Sequence, residues 1–159
     1  MNRGVPYSNP TGVELVVEAL PSEMNLAVRV KYQHKTHEIQ TGLFGAYNLG
    51  NIKAAIATGL FLGIDMEEIA EAVGKYQPGN NRSQIKTTPN NTLVCDSYNA
   101  NPTSMMAAIE SFNELKTSKK ILIIGDMLEL GDKSDEEHLK VLEVLSSMKP
   151  GNIFLVGST

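Results

Sequence analysis

The sequence predicts an α/β protein in two parts, an antiparallel β-hairpin with helices followed by a parallel sheet with flanking helices. Apolar residues alternate with polar ones over residues 26–43 and then recur every three or four positions from Leu49. This change of period is typical of strands followed by a helix. Residues 78–91 are rich in Pro, Asn and Thr. They separate the first part from a second series of strands and helices.

The first part begins with segments that favour extended structure. Residues 1–12 are rich in Gly, Pro, Asn and Ser and are expected to form a loop. Residues 13–20 alternate and predict a strand. Residues 26–43 alternate on both sides of a break near His34, which predicts a β-hairpin.

Two helices are expected after the hairpin. The first has one apolar face from Leu49 onward and a plausible stop at Gly63. Asp65 and Glu68 have the spacing of a capping box, which predicts the start of a second helix. That helix is expected to end at Pro78.

The second part reads as strand, helix, strand, helix, strand. Asn101 is a good N-cap and is followed by Pro102 at the first helical position. Ser134 and Glu137 have capping-box spacing at the start of the next helix. Strands are predicted at 92–95, 120–124 and 153–156. Right-handed crossovers would make this a three-layer unit with a parallel sheet. Its ligands would bind beyond the carboxyl ends of the strands, at 96–101, 125–131 and 157–159.

Composition excludes several classes of protein. The chain has 159 residues, a net charge of −4 and one cysteine, Cys95. Because it has no run of basic residues, nucleic acid is a poor partner. An internal disulfide and an all-cysteine metal site are excluded. The uncharged stretch 54–64 is too short to cross a bilayer, and the N-terminus does not resemble a signal peptide. A cytoplasmic location is therefore expected.

Few residue patterns point to chemistry by themselves. No glycine fingerprint follows the strand at 92–95, and no phosphate-binding loop occurs anywhere in the sequence. Asp96 stands where a carboxylate could meet a ribose hydroxyl or a metal-bound phosphate, or serve only as a turn residue. Arg82 could reach a phosphate or be an exposed linker charge. Asn48 and Asn51 share a helix face and could be capping amides.

Other candidates favour structural roles. His34 and His37 lie on a hairpin without supporting carboxylates or cysteines, so a metal site there is not expected. His138 at the start of a helix is also expected to be structural. Asp126 and Glu129 lie on one predicted loop, and a solvated loop is the favoured interpretation.

Four blocks of sequence together resemble the Mur ligase family. They are G-A-Y-N-L-G-N-I-K-A-A (45–55), P-G-N-N-R-S (78–83), D-S-Y-N-A-N-P-T-S-M (96–105), and G-D-M-L-E-L-G (125–131) with S-x-x-E-H after it (134–138). The resemblance implies that residues 1–83 form the end of a central ATPase domain. Residues 84–159 would form most of a Rossmann-like C-terminal domain. The family's phosphate loop, magnesium ligands and modified lysine would lie upstream, so the chain is expected to be an inactive fragment.

The resemblance also implies a reaction. Such a ligase uses ATP and Mg²⁺ to form an acyl phosphate on a UDP-MurNAc-tripeptide, and the amine of D-Ala-D-Ala then attacks it. The resemblance implies an enzyme of peptidoglycan precursor synthesis. We expect a monomer, and the charge and hydropathy of the chain predict no nucleic acid or membrane partner. Two alternatives remain open. One is a self-contained, non-catalytic nucleotide- or partner-binding module, and the other is another ligase of the Mur or folylpolyglutamate type, against which the loop Asn-Ala-Asn-Pro (99–102) argues.

Roles for individual residues follow from the same resemblance, and none of them is catalytic or a metal ligand. On the nucleotide side, the implied contacts are Asn48 and Asn51 near adenine, Arg82 at phosphate or ribose, and Asp96 at the ribose. The implied contacts to the incoming dipeptide are Tyr98, Asn99 and Asn101. Tyr47 departs from the family, which often has histidine at this position. The aromatic plane is kept, but the hydrogen bonding of an imidazole is not.

Overall fold

The computed structural model describes residues 7–8, 14–117, 119–148 and 151–157. Two compact units make up the chain, residues 1–95 and residues 96–159. The predicted boundary between the two family domains lies after residue 83. It is a different boundary from the division into compact units, and it stays a prediction. None of the helices in the described ranges has the length and apolar character needed to cross a membrane.

The first unit is built on an antiparallel sheet. Its first four strands are β1 (Tyr7–Ser8), β2 (Glu14–Leu20), β3 (Asn25–Tyr32) and β4 (Lys35–Phe44). The predicted hairpin is confirmed, with Val30 paired to His37. Its two-residue turn places Gln33 at φ 47° and His34 at φ 65°, the double positive φ of a type I′ turn. The loop expected over residues 1–12 falls mostly outside the described residues, but Tyr7–Ser8 pairs with β2.

Two helices pack on this sheet, α1 (Leu49–Phe61) and α2 (Met66–Lys75). Gly63 ends α1 as predicted, with φ +80°. Its amide donates to Leu60 O and the Ile64 amide donates to Gly59 O, which together form a Schellman motif. The buried core side chains come from both layers: Leu15, Val17, Leu26, Val28, Val30, Ile39, Leu43, Ile52, Ile56, Met66 and Ile69.

The predicted caps differ in outcome. Asn101 begins α3 (Pro102–Asn113) with a capping box to Ser104, so that N-cap prediction is confirmed. Asp65 precedes α2 but makes no side-chain cap bond, so the predicted capping box there is wrong. The box at Ser134 is also wrong. A 3-10 turn over residues 131–133 runs directly into α4 (Ser134–Ser147) and places Ser134 inside the helix.

The strand at 92–95 pairs differently from the prediction. It forms β6 (Thr92–Cys95), which is antiparallel to β5 (Gln84–Thr87), with Ile85 opposite Val94. A tight turn joins the two strands, in which the Thr88 amide donates to Asn91 O at 2.8 Å. Among the described residues β6 pairs with β5 and not with the parallel strands. The short turn lets β5 and β6 form a local antiparallel hairpin, which replaces the predicted parallel pairing of residues 92–95.

The second unit confirms the α/β class. Its strands β7 (Ile121–Gly125) and β8 (Asn152–Val156) are parallel, with Ile123 opposite Phe154. One face of this pair packs against α3 and α4 around Ile109, Leu122 and Leu145. The opposite face is exposed, since Ile123 is 71% and Phe154 is 54% accessible. The third layer that the sequence predicts is not seen among the described residues.

Candidate functional site

Asn48 and Asn51 meet at the start of α1, as their spacing predicts. Asn48 is buried, and its Nδ2 donates to Phe44 O at 2.8 Å. Its Oδ1 accepts from Asn51 Nδ2 at 2.9 Å. Neither bond is a helix cap, because the Asn48 side chain turns back toward β4. Asn48 therefore orders the beginning of α1, and the exposed Asn51 is the member of the pair that a ligand can reach.

Arg82 lies in a turn with unusual backbone angles. Asn80, Asn81 and Ser83 have φ of 55°, 54° and 48°. Left-handed angles cost a residue other than glycine roughly 1–2 kcal/mol, less for asparagine because its side chain can bond locally. The Arg82 amide closes the turn by donating to Gly79 O at 3.2 Å. Arg82 is exposed, so the turn presents it to solvent in a defined backbone geometry. Such geometry is often found at functional sites.

Ser83 connects this turn to the segment that carries Asn48. Its carbonyl accepts from the Phe44 amide at 3.0 Å, and its hydroxyl lies 3.0 Å from the Tyr47 hydroxyl. Tyr47 also meets Phe44 edge to face, with ring centroids 6.4 Å apart. The structure thus brings Asn48, Asn51 and the Arg82 turn to one place in the first unit. Sequence reasoning missed the role of Ser83, although the run Asn-Asn-Arg-Ser was a signal for a special turn.

The other predicted residues lie on residues 96–101, at the start of the second unit. Asp96, Tyr98 and Asn99 are all exposed. Asn101 is different, because its Oδ1 accepts from the Ser104 amide at 2.9 Å. Its side chain therefore has a structural duty at the start of α3. The dipeptide role of Tyr98, Asn99 and Asn101 and the ribose role of Asp96 stay predictions.

The loop that follows β7 is held by His138. The Met127 amide donates to Nε2 of His138 at 3.0 Å, and Nδ1 lies 2.8 Å from Ser134 O. Because Nε2 accepts and Ser134 O can only accept, the neutral ring carries its hydrogen on Nδ1. This supports the expected structural role of His138. At the same edge, a Cβ on Gly157 would lie 1.9 Å from Asp126 Oδ1, so a side chain there would displace the carboxylate.

The clear pKa shifts belong to exposed ion pairs. A hydrogen bond from Lys35 lowers the pKa of Glu67, and one from Lys140 lowers the pKa of Glu136. Exposed pairs of this kind contribute little to stability. Within the described ranges, no group of three or more His, Cys, Asp or Glu side chains could hold a metal ion.

Comparisons with known proteins match both units. A family model described as "Mur ligase, glutamate ligase domain" matches residues 81–159. The UDP-N-acetylmuramoyl-tripeptide–D-alanyl-D-alanine ligase of Bacillus subtilis is 39% identical over 117 residues, which are 72% of this chain and 26% of that protein.

Solved structures show the same likeness. A crystal structure of MurF from Acinetobacter baumannii has a TM-score of 0.78 and 28% identity, over 94% of this chain and 33% of that one. The structure of a MurF ligase from Thermotoga maritima in complex with ADP has a TM-score of 0.71 over 91% of this chain and 36% of that one; at 21% identity it shows the fold alone. The chain spans about a quarter to a third of the length of these proteins.

Proposed function

The chain belongs to the Mur ligase family, and from this premise we propose that its residues serve in the ATP-dependent joining of D-Ala-D-Ala to a UDP-MurNAc-tripeptide. The observation that carries the proposal is that ligases named for this reaction match most of the chain, 72% of it for the Bacillus subtilis enzyme and 94% of it for an Acinetobacter baumannii structure. The reaction belongs to peptidoglycan precursor synthesis. We propose a monomer that works in the cytoplasm.

The proposed chemistry has two steps. The terminal carboxylate of the tripeptide attacks the γ-phosphorus of ATP, which gives an acyl phosphate and ADP. The D-Ala-D-Ala amine then attacks the acyl carbon, the phosphate leaves, and the amine loses a proton as the amide forms. Mg²⁺ would offset the charge on the phosphates. The described side chains offer no cluster of three ligands for it, so none of them is assigned to the metal.

The first unit would contact the nucleotide. Arg82 is exposed on a turn of defined geometry, and its guanidinium suits a phosphate oxygen because it can donate two parallel hydrogen bonds. Asn51 would contact adenine, while Asn48 holds Asn51 in place through their 2.9 Å hydrogen bond. The proposed adenine contact and the proposed phosphate contact thus lie on two segments that both hydrogen-bond to the Phe44 backbone.

The second unit would contribute Asp96 and the dipeptide contacts. The Asp96 carboxylate suits a ribose diol because it can accept from both hydroxyls. Tyr98, Asn99 and Asn101 follow it on the segment that leads into α3. Exposure of Asp96, Tyr98 and Asn99 is consistent with these roles.

A segment exchange tests the proposal directly. The part of the Bacillus subtilis ligase that aligns with this chain is replaced by this chain, and ADP release and pentapeptide formation are measured with D-Ala-D-Ala and, in parallel, with glutamate. We expect product with D-Ala-D-Ala only. Product with glutamate would favour the related ligase, and a folded exchange protein that forms no ADP would refute the proposal.

Arg82→Ala in the exchanged enzyme tests the phosphate contact. A charge-assisted hydrogen bond is worth about 1.5–3 kcal/mol, so we expect the KM for ATP to rise about tenfold or more. Arg29→Ala is the matched control, because Arg29 pairs with Glu38 on the hairpin at 2.7 Å. Equal KM values for the two variants would remove Arg82 from the site.

A further inference from the structure

Ser83 carries a backbone conformation that its residue type does not favour. Its φ is 48°, and unlike Asn80 and Asn81 it has no side-chain amide to bond locally. The residue is nevertheless buried, with 6% of its surface accessible. Something in the surrounding structure must therefore hold it in the left-handed region.

Hydrogen bonds tie Ser83 to the segment that contains Phe44 and Tyr47. Its carbonyl accepts from the Phe44 amide, which registers the turn against the end of β4. Its hydroxyl pairs with the Tyr47 hydroxyl at 3.0 Å, across 36 positions of sequence. The hydroxyl pair is thus a side-chain tie between the turn that carries Arg82 and the segment that carries Asn48.

Arg82 is fixed from both sides by this arrangement. On one side Asn81 is in the left-handed region, and its Oδ1 accepts from Lys86 Nζ at 2.9 Å. On the other side is Ser83. A change of φ at Ser83 would rotate the chain that follows Arg82 and break the register with Phe44, so the direction of Arg82 depends on the conformation of its neighbour.

We propose that Tyr47 and Ser83 are positioning residues for the nucleotide site. Their hydroxyl pair offsets the left-handed strain at Ser83 and thereby fixes Arg82 relative to Asn48 and Asn51. This inference rests on the proposed function for its ligand. It also gives the tyrosine at position 47 a task that depends on its hydroxyl rather than on its ring.

The test uses the full chain and two substitutions that separate the hydroxyl from the backbone. Tyr47→Phe removes one hydroxyl and leaves the conformational preference of Ser83 unchanged. Ser83→Gly removes the other hydroxyl but adopts positive φ without strain. We therefore expect Tyr47→Phe to shift Ser83 out of the left-handed region, and Ser83→Gly to keep residue 83 in it. The double variant Tyr47→Phe/Ser83→Gly should also keep residue 83 in the left-handed region, because glycine does not need the hydroxyl pair to hold that conformation. Tyr76→Phe is the control, because Tyr76 is 56% exposed on the far end of α2.

Two NMR readouts decide the outcome. Backbone carbon shifts of residues 80–83 report φ, and the Arg82 amide is followed as Mg-ATP is added in the millimolar range. We expect the apparent Kd for ATP to rise roughly twofold to tenfold in Tyr47→Phe, the factor that one net hydrogen bond contributes. It should return toward the original value in the double variant, which a general loss of stability would not produce.

The two proposals fail in different ways. Unchanged carbon shifts in Tyr47→Phe would overturn the positioning role, whatever happens with ATP. A double variant that binds ATP as weakly as Tyr47→Phe would also overturn it. Equal KM values for ATP in the exchanged enzyme and in its Arg82→Ala variant would overturn the nucleotide assignment of the proposed function instead.

Discussion

Asn101 has two candidate tasks, and a substitution series separates them. Its Oδ1 accepts from the Ser104 amide at 2.9 Å, and its own amide donates to Ser104 Oγ at 3.2 Å. Asn101→Ala removes the first bond but not the second, because the second uses the backbone. We therefore expect the free energy of unfolding to fall by about 1 kcal/mol, the usual contribution of an N-cap side chain. Loss of both hydrogen bonds would lower it by about twice as much. For a unit of this size, the expected loss of about 1 kcal/mol corresponds to a Tm about 4–8 °C lower.

The assay follows the donor itself. Hydrogen exchange of the Ser104 amide in the full chain should become about fivefold faster in Asn101→Ala, which is the factor for 1 kcal/mol. Asn101→Ser keeps an oxygen at the N-cap and should restore the protection. Asn113→Ala, near the other end of α3, is the matched control. Unchanged protection of Ser104 in Asn101→Ala would refute the reasoning.

The same series addresses the dipeptide contact. In the exchanged enzyme, Asn101→Ser should restore stability whether or not Asn101 touches the substrate. If the side chain amide binds D-Ala-D-Ala, the KM for the dipeptide should stay raised in Asn101→Ser. If Asn101 is only a cap, the KM should return with the stability.

Three further predictions concern the core, an ion pair and a close contact. Ile56 is fully buried, so Ile56→Ala should lower the free energy of unfolding by about 2–5 kcal/mol in urea denaturation. Ile64 is 38% exposed, so Ile64→Ala is the control, and an equal loss in that variant would contradict the prediction. The hydrogen bond from Lys140 holds the pKa of Glu136 below its ordinary value of 4.5. The stabilisation from this ion pair is therefore present above pH 4.5 and is lost as the pH falls through the lowered pKa of Glu136. A carbon NMR titration of the Glu136 carboxyl should give a higher pKa in Lys140→Met than in the unsubstituted chain. An unchanged pKa would exclude the pair. Gly157→Ala would place a Cβ 1.9 Å from Asp126 Oδ1, so it should displace that carboxylate and lower the free energy of unfolding by about 0.5–1.5 kcal/mol, the cost of an off-rotamer side chain. The loss should shrink when Asp126→Ala is added, and an equal loss in both backgrounds would rule out this contact.

Elements that depend on neighbouring residues were predictable. The hairpin, the stop at Gly63 and the cap at Asn101 each rest on a few consecutive positions. Alternating apolar residues predict a strand, a glycine after a helix predicts its end, and an Asn-Pro pair predicts a helix start. These patterns have the same outcome in most proteins because the interacting groups lie close together in the sequence. The resemblance to the family was carried by short blocks of this kind.

Elements that depend on competition between partners were not predictable. The strand at 92–95 is apolar enough for a parallel sheet, yet it pairs with residues 84–87, which by composition belong to the segment 78–91 between the two parts. The capping boxes at Asp65 and Ser134 had the right spacing but not the right geometry. At Ser134 the preceding 3-10 turn changed where the helix begins, and spacing alone does not reveal such a change.

The sequence by itself determined the α/β class, most of the local elements and the family. Only the tertiary structure showed that Tyr47 meets Ser83 and that Phe44 joins the turns of Asn48 and Arg82. These contacts cross many positions of the chain. Whether they form depends on how β4 and the first helix direct the backbone in space, and no local period or spacing encodes that path.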